Sequence, residues 1–118
     1  MTKLPNVRTA GLWLLQIAAA GFFFFAGGSK LAGDPQMVKV FTTIGIGQWF
    51  RYLTGGLEVI GAAGLLFPAT AGLAALMLAV VMIGAVLSHL FIIGGSPAVP
   101  AVLLLAMAVV AWARRRRR

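Results

Sequence analysis

One carboxylate, Glu58, sits near the middle of Arg51 to Phe67, RYLTGGLEVIGAAGLLF, an apolar stretch spaced by glycines. A charge at the centre of a membrane helix costs roughly 2.5–3.5 kcal/mol on insertion scales. A chain that keeps this one must turn it inward, toward polar partners inside a helical bundle. The surroundings leave little choice, because 61% of the residues are apolar and 10% are charged, with a mean hydropathy of +1.00. A soluble domain carries about 25% charged residues. The apolar runs are continuous, without the ten-residue alternation of a membrane barrel. The expected class is therefore an all-α integral membrane protein, one domain over residues 1–118.

There are no cysteines, so the chain has no disulfides, thiol redox chemistry, iron–sulfur ligands or Cys-type zinc sites of its own. With His89 as the single histidine, an intrachain bis-His haem is excluded, and any metal or haem would need a partner subunit. The net charge is +8, but half of the ten basic residues are Arg114, Arg115, Arg116, Arg117 and Arg118. Such a block beside a span reads as a contact with anionic membrane lipids and a topology signal, not as a nucleic-acid site.

Four spans are expected, at about 10–32, 50–67, 70–93 and 98–113, followed by the basic tail 114–118. The first reads as a retained span rather than a cleaved signal peptide, because its apolar run exceeds the usual length and cleavage would strand Lys30. Its Phe22–Phe25 run must cover several faces. Between spans one and two, Asp34-Pro35 is a turn or N-cap signal. Met37, Val38, Val40, Phe41 and Ile44 then recur at helical spacing in a short amphipathic segment, ended by Gly45 and Gly47. Trp49, Tyr52 and Trp112 suit the interfaces, and Pro68-Ala69-Thr70 makes spans two and three antiparallel neighbours. The third span is interrupted by Gly84, Ser88 and His89. Lys3, Arg8 and the five C-terminal arginines lie on one side, with Lys30, Lys39 and Arg51 on the other. That bias predicts a multi-pass cell-membrane protein with both termini cytoplasmic.

Helical rise then places Lys30, Glu58, His89 and Arg51 together in the outer half of the bundle, with Glu58 roughly 13 Å inside. Nothing equivalent is expected in the inner half. Arg51, Gly55, Glu58, Ala62 and Leu65 share one stripe, faced by Met82, Ala85, Val86 and His89 and by Ala26, Gly27 and Lys30. Two readings stand. Glu58 could form a buried bridge with Lys30 or Arg51 that fixes helix register. Alternatively, carboxylate, ammonium and imidazole around a pocket bind a polar headgroup or move protons.

These residues carry a family resemblance. Ala26-Gly27-Gly28-Ser29-Lys30-Leu31 is followed by Phe41-x-x-x-Gly45 and Leu53-x-Gly55-x-x-Glu58-x-x-Gly61-Ala62-x-Gly64-Leu65-Leu66. Met82-x-Gly84-Ala85-x-x-x-His89-Leu90 and an Arg-rich end complete it. Over nearly its whole length the chain resembles the DoxX-like membrane proteins, four-helix proteins related to the small subunits of thiosulfate:quinone oxidoreductase. The resemblance implies that Lys30, Glu58 and His89 are characteristic polar positions. It also implies a link to quinone and to redox partner proteins.

The expectation is a membrane subunit of a redox system, not an autonomous enzyme, whose pocket holds a quinone-like or lipid-like molecule. Arg51 stands at the mouth, Lys30 or His89 donates to the ligand's oxygen, and Glu58 orients them or takes up a proton. A four-span cation or drug transporter is the first alternative, although the first span has no acid. A scaffold recruiting partner proteins is the second. Four short helices enclose little volume, which suits a homodimer, but no residue demands one.

Overall fold

In a computed structural model, the structure describes residues 7–115. It is all-helical. Helix α1 spans Val7–Ala32, α2 Pro35–Ile44, α3 Trp49–Leu65, α4 Ala71–Ser88 and α5 Ala98–Arg114. Helix α4 continues as one π-helical turn, His89–Ile93. Two of these stretches, Val7–Ala32 and Ala71–Ile93, are long and apolar enough to cross a membrane. The helices form an elongated body of 54 × 25 × 19 Å. The helix limits follow the expected ones closely. Gly84 does not interrupt α4, which stays α-helical until the π turn opens at His89.

The corner between α1 and α2 is set by three consecutive residues. Gly33 takes φ +77°, a left-handed conformation that glycine adopts without strain. Its N–H reaches the Lys30 carbonyl at 3.3 Å, and that of Asp34 reaches the Ser29 carbonyl at 3.0 Å, closing α1 with a Schellman motif. Asp34 then caps α2, its carboxylate accepting from the Gln36 N–H at 3.2 Å, with Pro35 in the first turn. The N-cap signal at Asp34-Pro35 is thus realised, and α2 follows α1 with no slack.

Helix α1 lies along α3, α4 lies along α5, and the two pairs join where α3 meets α4. The buried core occupies the end of the bundle that carries Val7 and Arg114, termed the terminal end. It is built on Phe23, Leu65, Leu78, Met107 and Val110, all fully buried. Phe23 alone of the Phe22–Phe25 run is buried; Phe25 is 74% exposed. Small residues set the helix spacings. A Cβ on Gly61 would lie 2.7 Å from Leu78, and one on Gly64 would lie 2.8 Å from Ala74, so α3 and α4 touch closely at the terminal end.

Helices α1 and α3 cross at Gly27 and Gly55. A Cβ on Gly27 would lie 2.7 Å from the Gly55 carbonyl oxygen, and one on Gly55 would lie 2.9 Å from that of Gly27. Each glycine thus meets the other's backbone, which no rotamer change can relieve. Close packing of this kind drives association of apolar helices that share one solvent. Gly28 and Gly56, one residue along, have no such neighbour. Gly27→Val or Gly55→Val is therefore expected to destabilise the bundle by about 1–3 kcal/mol, the usual cost of overpacking. Gly28→Ala and Gly56→Ala should leave it within ~0.5 kcal/mol. Unfolding in mixed detergent, followed by circular dichroism, measures both pairs.

Candidate functional site

The crossing at Gly27 and Gly55 decides what comes next on each helix. One turn beyond Gly27 stands Lys30; one turn beyond Gly55 stands Glu58. Their side chains meet, with Lys30 Nζ 2.9 Å from Glu58 Oε1. Glu58 is 2% exposed, and its Oε1 is off the line of a directed hydrogen bond. The contact is an ion pair more than an aligned bond. The stripe Arg51, Gly55, Glu58, Ala62 and Leu65 is buried as its spacing predicts.

Toward the α2 end the two helix pairs border a half-open cavity of about 850 Å³. Its walls are mostly apolar. Lys30, Glu58 and His89 all line it, together with Ala26, Met82 and Ala85 from the faces expected to meet. Helix α2 forms the roof with Met37, Val40, Phe41 and Ile44. The amphipathic segment is therefore a cap over the bundle. Three hydroxyls lie in the wall, those of Thr54, Ser88 and Ser96, and none was expected to line a site. Thr54 precedes Glu58 by four residues and Ser88 adjoins His89, so helical spacing alone was the signal that could find them.

His89 begins the π turn, and its Nδ1 lies 2.8 Å from the Gly94 carbonyl oxygen. A carbonyl only accepts, so Nδ1 is the donor. Among the described residues no group of three or more His, Asp or Glu side chains could hold a metal ion.

Arg51 is not at the cavity mouth. It is 5% exposed, outside the cavity wall, with its guanidinium over the Tyr52 ring. One NH group donates to the Lys30 carbonyl, a second donor beside the Gly33 N–H. Its Nε donates to Gln48 Oε1 at 2.7 Å. Gln48 Nε2 in turn donates to the Val38 carbonyl and the Thr42 hydroxyl at 3.2 and 3.0 Å. Arg51 and Gln48 thus rivet α1, α2 and α3 together behind the ion pair.

The terminal half holds a second polar cluster, against the expectation that it held none. Gln16 is fully buried. Its Nε2 donates to the Leu65 carbonyl at 2.7 Å, and its Oε1 accepts from Arg114 Nε at 2.8 Å. Arg114 is 6% exposed and lies over the Trp13 ring, 4.9 Å from its centroid. The expected basic tail therefore starts one residue later: Arg114 belongs to α5 and clamps it to α1. Arg115 is exposed and folds over Trp112; Arg116, Arg117 and Arg118 lie outside the described residues. Sequence reasoning missed the clamp because a glutamine in a long apolar run and the first arginine of five each had a bland reading.

Gln16→Leu removes the acceptor of the buried Arg114 Nε–H and should destabilise the bundle by about 1.5–3 kcal/mol, the worth of a bond to a charged group. Arg114→Leu should cost less once Gln16 is also leucine. A double-mutant cycle is expected to return a coupling of at least ~0.5 kcal/mol. Additive costs would show that the contact carries no energy.

Comparison with curated proteins and with solved structures returned no match. A family model described as the DoxX-like family matches residues 14–113. The match takes in Gln16, Lys30, Arg51, Glu58 and His89, and with them the ion pair, the roof helix and the cavity. The chain is a membrane protein and belongs to the DoxX-like family.

Proposed function

We propose that this protein is a four-span membrane subunit that holds an amphiphilic, quinone-like or lipid-like molecule in its cavity and serves a redox system. The observation that carries the reading is the cavity's composition. An apolar chamber beneath α2 contains an ion pair and an imidazole. Pockets for small molecules have this character, with apolar walls and a few placed polar groups. The apolar wall suits a hydrocarbon tail or ring, and the polar groups suit an oxygen-bearing head. The redox setting comes from the family resemblance. A cation transporter is less well supported, because Lys30 already matches the cavity's carboxylate.

In this reading α3 and α5, 17 residues each, cross beside the two longer helices. Their length of about 26 Å falls just short of a bilayer core and suits a locally thinned or tilted arrangement. The exposed rings of Trp49, Tyr52 and Trp112 sit at the two interfaces. Arg8, Arg114 and Arg115 mark the cytoplasmic end, where Arg115 meets anionic lipid headgroups.

Two experiments test this. Native mass spectrometry with lipid extraction should find a retained amphiphile on the wild-type protein, with occupancy lowered at least ~10-fold in Glu58→Gln, the loss of one charge-assisted contact. Retention unchanged by Glu58→Gln and His89→Ala would place the molecule outside the cavity. Because the chain lacks cysteine, single cysteines can report sidedness. Gln36→Cys should react with a membrane-impermeant maleimide from the outside only, and Val7→Cys from the inside only; labelling of both from one side would overturn the topology.

A further inference from the structure

The hydrogen-bonding state of His89 narrows the ligand class. This step rests on the cavity being a ligand site, as proposed above. The Nδ1 of His89 donates to the Gly94 carbonyl across the π turn. That bond is local and built in: Gly94 directly follows the last residue of the turn that His89 opens. With Nδ1 occupied as donor, the neutral ring has a bare lone pair at Nε2. Of the ring's two nitrogens, Nε2 is then the one left to meet a molecule in the cavity that His89 lines. The other charged groups there are Lys30 and Glu58, already 2.9 Å apart, so the ring has no carboxylate of its own. Lys30 retains donor capacity beyond its contact with Glu58, since an ammonium carries three N–H groups.

The expected head group changes accordingly. A carbonyl or ether oxygen only accepts. It would leave Nε2 with no donor, and an acceptor covered by a ligand without a partner is penalised. A hydroxyl can donate to Nε2, and its oxygen keeps lone pairs for a donor elsewhere in the wall. We infer that His89 acts as a hydrogen-bond acceptor, in place of the donor role expected from the sequence. The cavity therefore selects amphiphiles with a hydroxyl head, of phenol or hydroquinone type, over those whose head only accepts.

The chain's one histidine makes the test direct, because ¹⁵N-histidine labelling of the purified full chain gives the signals of this ring alone. The free protein should show the tautomer with its proton on Nδ1 and a bare Nε2. Titration with 4-decylphenol should shift the Nε2 signal. 4-Decylanisole, matched in size but without the O–H, should bind about 5- to 150-fold more weakly, the range set by one acceptor left unpaired. His89→Phe should remove that preference, so that the two probes bind about equally. A protonated Nε2 in the free protein overturns the inference. So does equal binding of the two probes, and in both cases the cavity remains a ligand site. Failure of either probe to bind the wild type, with no amphiphile retained on purification, overturns the ligand-site reading itself and this inference with it.

Discussion

The fold depends on the backbone-to-backbone crossing of α1 and α3. Where Gly27 and Gly55 touch, the helix axes come close enough for side chains one turn further on to be forced together. Those side chains are Lys30 and Glu58. An isolated buried carboxylate would be expensive to hold ionised; an adjacent ammonium at 2.9 Å offsets part of that penalty. The ion pair is thus a product of the glycine crossing and also a reason for its register, since slipping either helix by one residue would separate the charges. Such pairs serve specificity more dependably than net stability.

The two polar clusters stand at opposite ends and serve opposite purposes. At the terminal end, Gln16, Arg114 and the Leu65 carbonyl are buried among the tightest packing, where Gly61 and Gly64 bring α3 onto α4. They close that end. At the α2 end the helix pairs leave room, and the polar groups there border empty space. Arg51 divides the two tasks at this end: it binds the backbone of α1 and the side chain of Gln48, so Lys30 and Glu58 are held from behind and face the cavity from the front.

Much of this was legible in the chain. Unbroken apolar runs, Asp34-Pro35, Pro68 and the Gly94-Gly95 pair delimit helices whose ends agree with the expected ones to within a few residues. Counting turns from a shared end left Lys30 and Arg51 as candidate partners of Glu58, and the ion pair is with Lys30. Gln16 and Arg114 could not be paired this way, since a neutral amide does not demand a partner and 98 residues separate the two. Arg51 was placed at the right depth and on the right stripe, but stripe position does not say whether a long side chain reaches forward into a cavity or back along a neighbouring backbone. The hydroxyls of Thr54 and Ser88 gave no signal of their own. The donor state of His89 depends on a carbonyl that the π turn brings round, and no spacing rule foretells a π turn.

The corner at Gly33 and Asp34 has a mechanical consequence. Both residues are spent on closing one helix and opening the next, so the roof has no loop on which to swing. On its far side Gln48 fastens it to Arg51. Helix α2 therefore behaves as a bracket welded to the α1–α3 pair, and the cavity's volume is geared to the angle between that pair and the α4–α5 pair. Any widening at the α2 end would then fall to whole helices, with the clamp of Gln16 and Arg114 as the fixed end, rather than to a flap.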